Sequence, residues 1–105
     1  MGIAEGLLAK VKTSIRISHS ALDEDVYDTI DACLADLRRC GLLDEKLDST
    51  QELDPLILNA VKLYCKKEYT DDPVKAARYQ EGYEKLTSCL MLSKGYSYEE
   101  ATADE

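Results

Sequence analysis

The sequence predicts an all-α fold, a small four-helix bundle around a central apolar helix. Three observations carry this. Asp54-Pro55 opens a stretch through Tyr69 in which Leu56, Ile57, Leu58, Ala60, Val61, Leu63, Tyr64 and Cys65 are apolar, with Asn59, Lys62 and Lys66 confined to one narrow stripe. A helix apolar around most of its circumference needs other elements on several sides. Apolar residues recur at helical spacing in the other periodic segments. The one strand-like alternation, Val11, Thr13, Ile15 and Ile17, has no partner segment, and an isolated strand would leave its backbone groups unpaired.

The first helix follows from Ile3, Leu7, Leu8, Val11 and Ile15 and is expected to fray near Ser14, with an extended exit through Ile17 and Ser18. Ser18, His19 and Ser20 form a polar break, after which Ser20 or Asp23 can cap the second helix. That helix has an acidic first turn (Asp23, Glu24, Asp25) and a basic last turn (Arg38, Arg39), both favourable to the macrodipole. Its inward face reads Val26, Ile30, Cys33, Leu34 and Leu37. Gly41 suits the left-handed C′ position of a Schellman ending, with Leu42 packing on Leu37.

Residues 42–53 make a long connection that Leu42, Leu43, Leu47 and Leu53 pin to the bundle. Asp54 then caps the central helix, and Pro55 takes its first position, where a missing N–H goes unmissed. Asp72-Pro73 repeats this start signal. The last helix runs toward Ser93, about twenty residues and ~30 Å. Its stripe is Ala76, Tyr79, Tyr83, Leu86 and Leu90, with Lys75, Arg78, Glu81, Glu84 and Lys85 outward and Gly95 as its stop. Residues 1–95 thus form one domain, and 96–105 an acidic C-terminal tail without periodicity, expected to be flexible.

The 105 residues carry a net charge of −8, unevenly placed. Residues 21–56 hold eleven acids and three bases, and 93–105 sum to −3, whereas 1–20 and 57–92 are slightly positive. Such a balance argues against ordinary nucleic-acid binding, which needs clustered Lys and Arg. The apolar runs are far short of the ~20 residues that span a bilayer, and Met1 to Lys12 lacks signal-peptide character, so the protein is expected to be made and kept in the cytoplasm. The four cysteines at 33, 40, 65 and 89 have no zinc-ligand spacing and are expected to be reduced and structural, with 33, 65 and 89 on or beside apolar faces. No metal or cofactor is expected.

Few residues invite a chemical role. His19, between two serines, reads as a solvated loop residue rather than part of a triad, since no nucleophile elbow accompanies it. Glu24, Asp28 and Asp31 fall at i, i+4 and i+7 and form an acidic stripe on the second helix. Carboxylates need convergence in a pocket for acid–base or metal chemistry, and these oppose the apolar face, so they are expected to face water. Gly82 lies inside the last helix, either to admit a close neighbour or simply tolerated. Tyr96 and Tyr98 are the aromatics least suited to a core and are candidate subunit contacts.

Three stretches together resemble the phage head–tail connector family, small helical proteins also called neck adaptor or DNA-packaging proteins. The first runs from Leu8-Ala9-Lys10-Val11-Lys12 into Ile15-Arg16-Ile17-Ser18-His19, then Leu22-Asp23-Glu24-Asp25 and Ile30-Asp31-Ala32. Ile15-Arg16-Ile17 stands where the family has a Leu-Arg-Ile-like triplet. The second is Asp54-Pro55-Leu56-Ile57 through Ala60-Val61-Lys62-Leu63-Tyr64-Cys65-Lys66. The third is Ala77-Arg78-Tyr79-Gln80 with Tyr83-Glu84-Lys85-Leu86, Leu90 and Leu92-Ser93. The resemblance spans roughly residues 7–94 and rests on order and spacing, with no single diagnostic residue.

It implies a structural virion protein of a tailed phage or prophage, present in the host cytoplasm during assembly and then at the head–tail junction. Copies form a ring on the portal protein, contact tail or head-completion proteins, and continue a channel through which DNA passes without specific binding. A monomer in isolation that assembles on the portal fits this picture. No catalytic residues carry over. Ring contacts are heterologous and need two different patches, for which the 42–53 connection, the polar face of the last helix and the tail at Tyr96 and Tyr98 are candidates. The acidic stripe Glu24, Asp28, Asp31, or the tail, is expected to face the lumen or a partner. An alternative from charge alone is a small acidic inhibitor that mimics DNA and binds a basic partner. An enzyme has no support beyond the carboxylates, since the Glu-x-x-His pattern of carboxylate-bridged bundles is missing.

Overall fold

A computed structural model describes residues 5–42, 47 and 53–92. It contains four helices: α1 (Glu5–Ser14), α2 (Asp23–Cys40), α3 (Pro55–Tyr69) and α4 (Pro73–Leu92). The described residues form no β-strand, so the helical reading of 11–17 is the right one through Ser14. Helix α3 packs against each of the other three, most extensively against α4. It is the centre that its apolar circumference requires. Ile57, Ala60, Val61 and Cys65 are fully buried, and Leu58, Leu63 and Tyr64 pack on them from the flanks.

The caps explain why α3 and α4 begin where they do. Asp54 Oδ1 accepts from the Leu56 N–H at 2.8 Å, and Asp72 Oδ1 accepts from the Val74 N–H at 2.9 Å. In both, proline follows the aspartate at the first helical position. Helix α2 ends on Gly41 at φ 114°, with the Gly41 N–H bonded to Arg38 O and the Leu42 N–H to Leu37 O. This is the Schellman pattern, and it brings Leu42 into the core. Leu47 and Leu53 are buried as well, so three of the four leucines expected to pin the long connection do so. The fourth, Leu43, lies outside the described residues, as do Gly95 and the tail from 96 to 105.

The start of α2 differs from expectation. Neither Ser20 nor Asp23 caps it through its side chain; Leu22 occupies the N-cap position at φ −108°, ψ 14°. The Asp23 carboxylate is engaged elsewhere, meeting Lys12 Nζ of α1 at 2.7 Å. The exit from α1 also departs from a plain extended segment. The Arg16 N–H reaches Thr13 O and the Ile17 N–H reaches Lys12 O, a second Schellman closure, with Arg16 at φ 61° in the place usually given to glycine. A third difference concerns Cys89, which is exposed because Leu90, Thr87 and Leu86 take the inward side of that α4 turn. All four cysteines are free thiols.

Candidate functional site

Among the described residues there is no group of His, Cys, Asp and Glu side chains that could hold a metal ion, and no helix is long and apolar enough to cross a membrane. Three surfaces concentrate charged or buried polar side chains among the described residues.

The first is the acidic stripe. Every residue expected on the inward face of α2 is buried: Val26, Ile30, Cys33, Leu34 and Leu37. The helical period then fixes the opposite face, and Glu24, Asp25, Asp28 and Asp31 are all exposed on it. None of the four makes an ion pair with a described residue. Glu24 and Asp31 stand seven residues apart, about 10 Å along the axis.

The second surface lies where α2, α3 and α4 meet. Tyr83 of α4 is 4 % exposed, yet its hydroxyl donates to Asp36 Oδ2 on α2 at 2.8 Å and accepts a long contact from Cys33 Sγ at 3.9 Å. Arg39 closes on the other Asp36 oxygen. Burial pushes the Asp36 carboxyl up, but the Arg39 and Tyr83 donors outweigh it and hold the group below the usual carboxylate range. Burial pushes the Cys33 thiol and the Tyr83 phenol up, and that of Cys65 to about 12, so the buried cysteines stay protonated and inert. Tyr64 meets Tyr83 edge-on at 5.4 Å, with Lys67 Nζ 4.3 Å from the Tyr64 ring centre. The Thr87 hydroxyl is buried beside these groups with no hydrogen-bond partner. This polar seam ties α4 to α2 across the edge of α3. It holds no nucleophile paired with a base, so its chemistry is that of a structural clasp.

The third surface is a groove of about 270 Å³ between the ends of α1 and α3 and the start of α4. Arg16, Lys66 and Lys75 line it together with Ser14, Ile15, Tyr69, Thr70 and Tyr79, and no carboxylate does. Lys66 Nζ lies 5.8 Å from the Tyr79 ring centre. These three cations are separated in sequence by 50 and 9 positions. Sequence reasoning missed the groove for that reason; the only trace was the slightly positive balance of residues 1–20 and 57–92.

His19 is exposed in the turn before α2, its Nδ1 accepting from the Ala21 N–H at 3.3 Å, as a loop residue should. A Cβ at Gly82 would meet the Leu63 methyls at 3.6 and 3.7 Å, ordinary contact distances, so the glycine is tolerated rather than required. Tyr96 and Tyr98 lie outside the described residues.

A family model described as phage connector protein matches residues 7–97, which takes in all four helices apart from the first two residues of α1. Comparison with curated proteins and with solved structures finds no match.

Proposed function

The chain belongs to the phage connector protein family, and on that premise we propose that its copies close into a ring joining the head portal of a tailed phage or prophage to the tail and continuing the DNA channel. The family is a structural one and places the chain among virion components. The observation that carries the reading is the extent of the family match, which covers α2, α3 and α4 entirely and most of α1. The charge is compatible with it. Each phosphate neutralised adds affinity, whereas a ring whose subunits each carry −8 adds little grip to a passing duplex. Repulsion from exposed carboxylates extends over about a Debye length, ~8 Å at physiological salt. The portal protein and tail or head-completion proteins are the partners in this reading, and the C-terminal segment at Tyr96 and Tyr98 is a candidate contact between subunits.

Light scattering over a concentration series, with and without purified portal, tests the proposal. Discrete large species appearing with portal, and a ring seen on the portal by electron microscopy, are the expected result. A monomer indifferent to portal at every concentration would overturn it. Salt-sensitive binding of that monomer to a basic nuclease would favour the DNA-mimic inhibitor instead.

A further inference from the structure

We propose that the groove lined by Arg16, Lys66 and Lys75 receives the acidic outer face of α2, carried by Glu24, Asp28 and Asp31, from a second copy of the chain. The inference rests on the ring reading above and specifies the two patches that such a ring must bring together.

The groove gathers cations from three separate segments of this acidic protein, and no carboxylate lines it among the described residues. Like charges held near one another repel, and an anionic surface docked among them relieves that repulsion. A duplex is a poor occupant. Three cations neutralise few phosphates, and the remaining charge of the protein opposes the approach. A carboxylate-bearing protein surface suits the site better, because Tyr69 and Tyr79 also offer it aromatic contact area.

The α2 stripe supplies such a surface. Its carboxylates are exposed and carry no ion pair with a described residue, so docking breaks no pairing among the described residues. They are mounted on a helix that is already formed, and little ordering entropy is lost when they bind. The acidic segment 96–105 is the rival occupant, and the test separates the two. Groove and stripe belong to different elements, so the contact is heterologous. Each copy gives its stripe to one neighbour and its groove to the other, the head-to-tail arrangement that every ring requires.

The test uses full-length chains carrying charge reversals, with helicity checked by circular dichroism. One variant joins Lys66→Glu with Lys75→Glu, a second joins Glu24→Lys with Asp28→Lys, and a third carries all four changes. Like charges placed opposite each other disfavour an interface, so each double variant is expected to lose at least about tenfold in assembly on the portal. The third variant is expected to regain it, as is an equal mixture of the two doubles. Wild-type assembly that ignores both double reversals overturns this pairing and leaves the ring reading intact. Folded variants that fail to rescue one another overturn it too. So does loss of assembly on deleting residues 96–105 when the reversals have no effect. A wild-type chain that never assembles with portal overturns the ring reading and this inference with it.

Discussion

Of the three helical joints of this molecule, the first and the last are built by different means. Between α3 and α4, three residues suffice. Thr70 leaves the helix in an extended conformation, and Asp72 caps the next one through its own side chain, helped by Thr70 Oγ1, which accepts from the Asp72 N–H at 3.2 Å. Between α1 and α2, the chain turns on a left-handed arginine and enters α2 through a leucine with no side-chain cap. That joint is held by a contact between helices, the Lys12–Asp23 ion pair. One joint is therefore written into neighbouring residues, and the other depends on the assembled fold. Departures from local preference tend to gather where a protein does its work. The second joint is also the one that supplies Arg16 to the basic groove.

The largest effect expected from breaking this contrast is at the caps. Asp72→Ala should destabilise the protein by about 1 kcal/mol, and joined to Asp54→Ala, which acts at a separate helix start, by about 2 kcal/mol. Ser20→Ala, at the corresponding place before α2, should change stability by less than about 0.5 kcal/mol, because the Asp23 N–H bonds to the backbone oxygen of Ser20 and not to its hydroxyl. Urea midpoints of the four proteins measure this. Equal losses at Ser20 and Asp72 would erase the distinction between the joints.

Tyr83→Phe probes the clasp that ties the α3–α4 pair to α2. The phenol is replaced by an isosteric ring, so the loss is that of its hydrogen bonds, about 1 kcal/mol at neutral pH. The pH dependence is more specific. Asp36 sits below the usual carboxylate range in the folded protein, so its contribution is present above the unfolded value near 3.8 and is lost as pH falls through the lower folded value. Without the Tyr83 donor the folded carboxyl titrates higher, and acid unfolding of the variant should begin at a higher pH than in the wild type. Coincident acid limbs in the two proteins would remove Tyr83 from that role.

Gly82→Ala should stabilise α4 by about 1 kcal/mol, since Ala is the better helix former and the added methyl meets Leu63 at ordinary distance. A lower melting temperature would show that α3 and α4 already sit as close as their backbones allow.

How much of this was legible in the sequence follows the same division. The five buried positions of α2, the two Asp-Pro starts and the Gly41 ending are local signals, set by helical period, capping and the freedom of glycine, and each reads directly from neighbouring residues. The family resemblance also held, since it rests on order and spacing along the chain. The left-handed Arg16 was not legible, because nothing in Ile15-Arg16-Ile17 advertises a turn. The Cys33–Tyr83–Asp36 seam and the basic groove were hidden for a related reason. Tyr83 lies 47 and 50 positions from Asp36 and Cys33, and Arg16 lies 50 and 59 positions from Lys66 and Lys75, so these groups meet only once α3 has packed against its neighbours. Thr87 was overlooked because the apolar stripe of α4 reads complete without it, although the helical period places it beside Tyr83 and Leu90.

The smallest expected effect on stability is the most telling for the comparison. Gly41 and Arg16 occupy equivalent C′ positions, but only Gly41 is free of the steric penalty of left-handed backbone, about 1 kcal/mol for a residue with a Cβ. Arg16→Gly should remove that penalty and restore part of it as extra freedom in the unfolded chain, leaving a net gain of a few tenths of a kcal/mol and a rise in melting temperature of about 1–3 °C. If Arg16 is kept for the helix ending alone, the variant should assemble on the portal at least as well as the wild type. If it is kept for its charge in the groove, the same variant should be slightly more stable and yet assemble less well. Arg16→Lys, which keeps the charge and the strained backbone, should then match the wild type in both measurements. Stability and assembly moving in opposite directions on one substitution would show that the awkward joint is retained for what it presents to a neighbour.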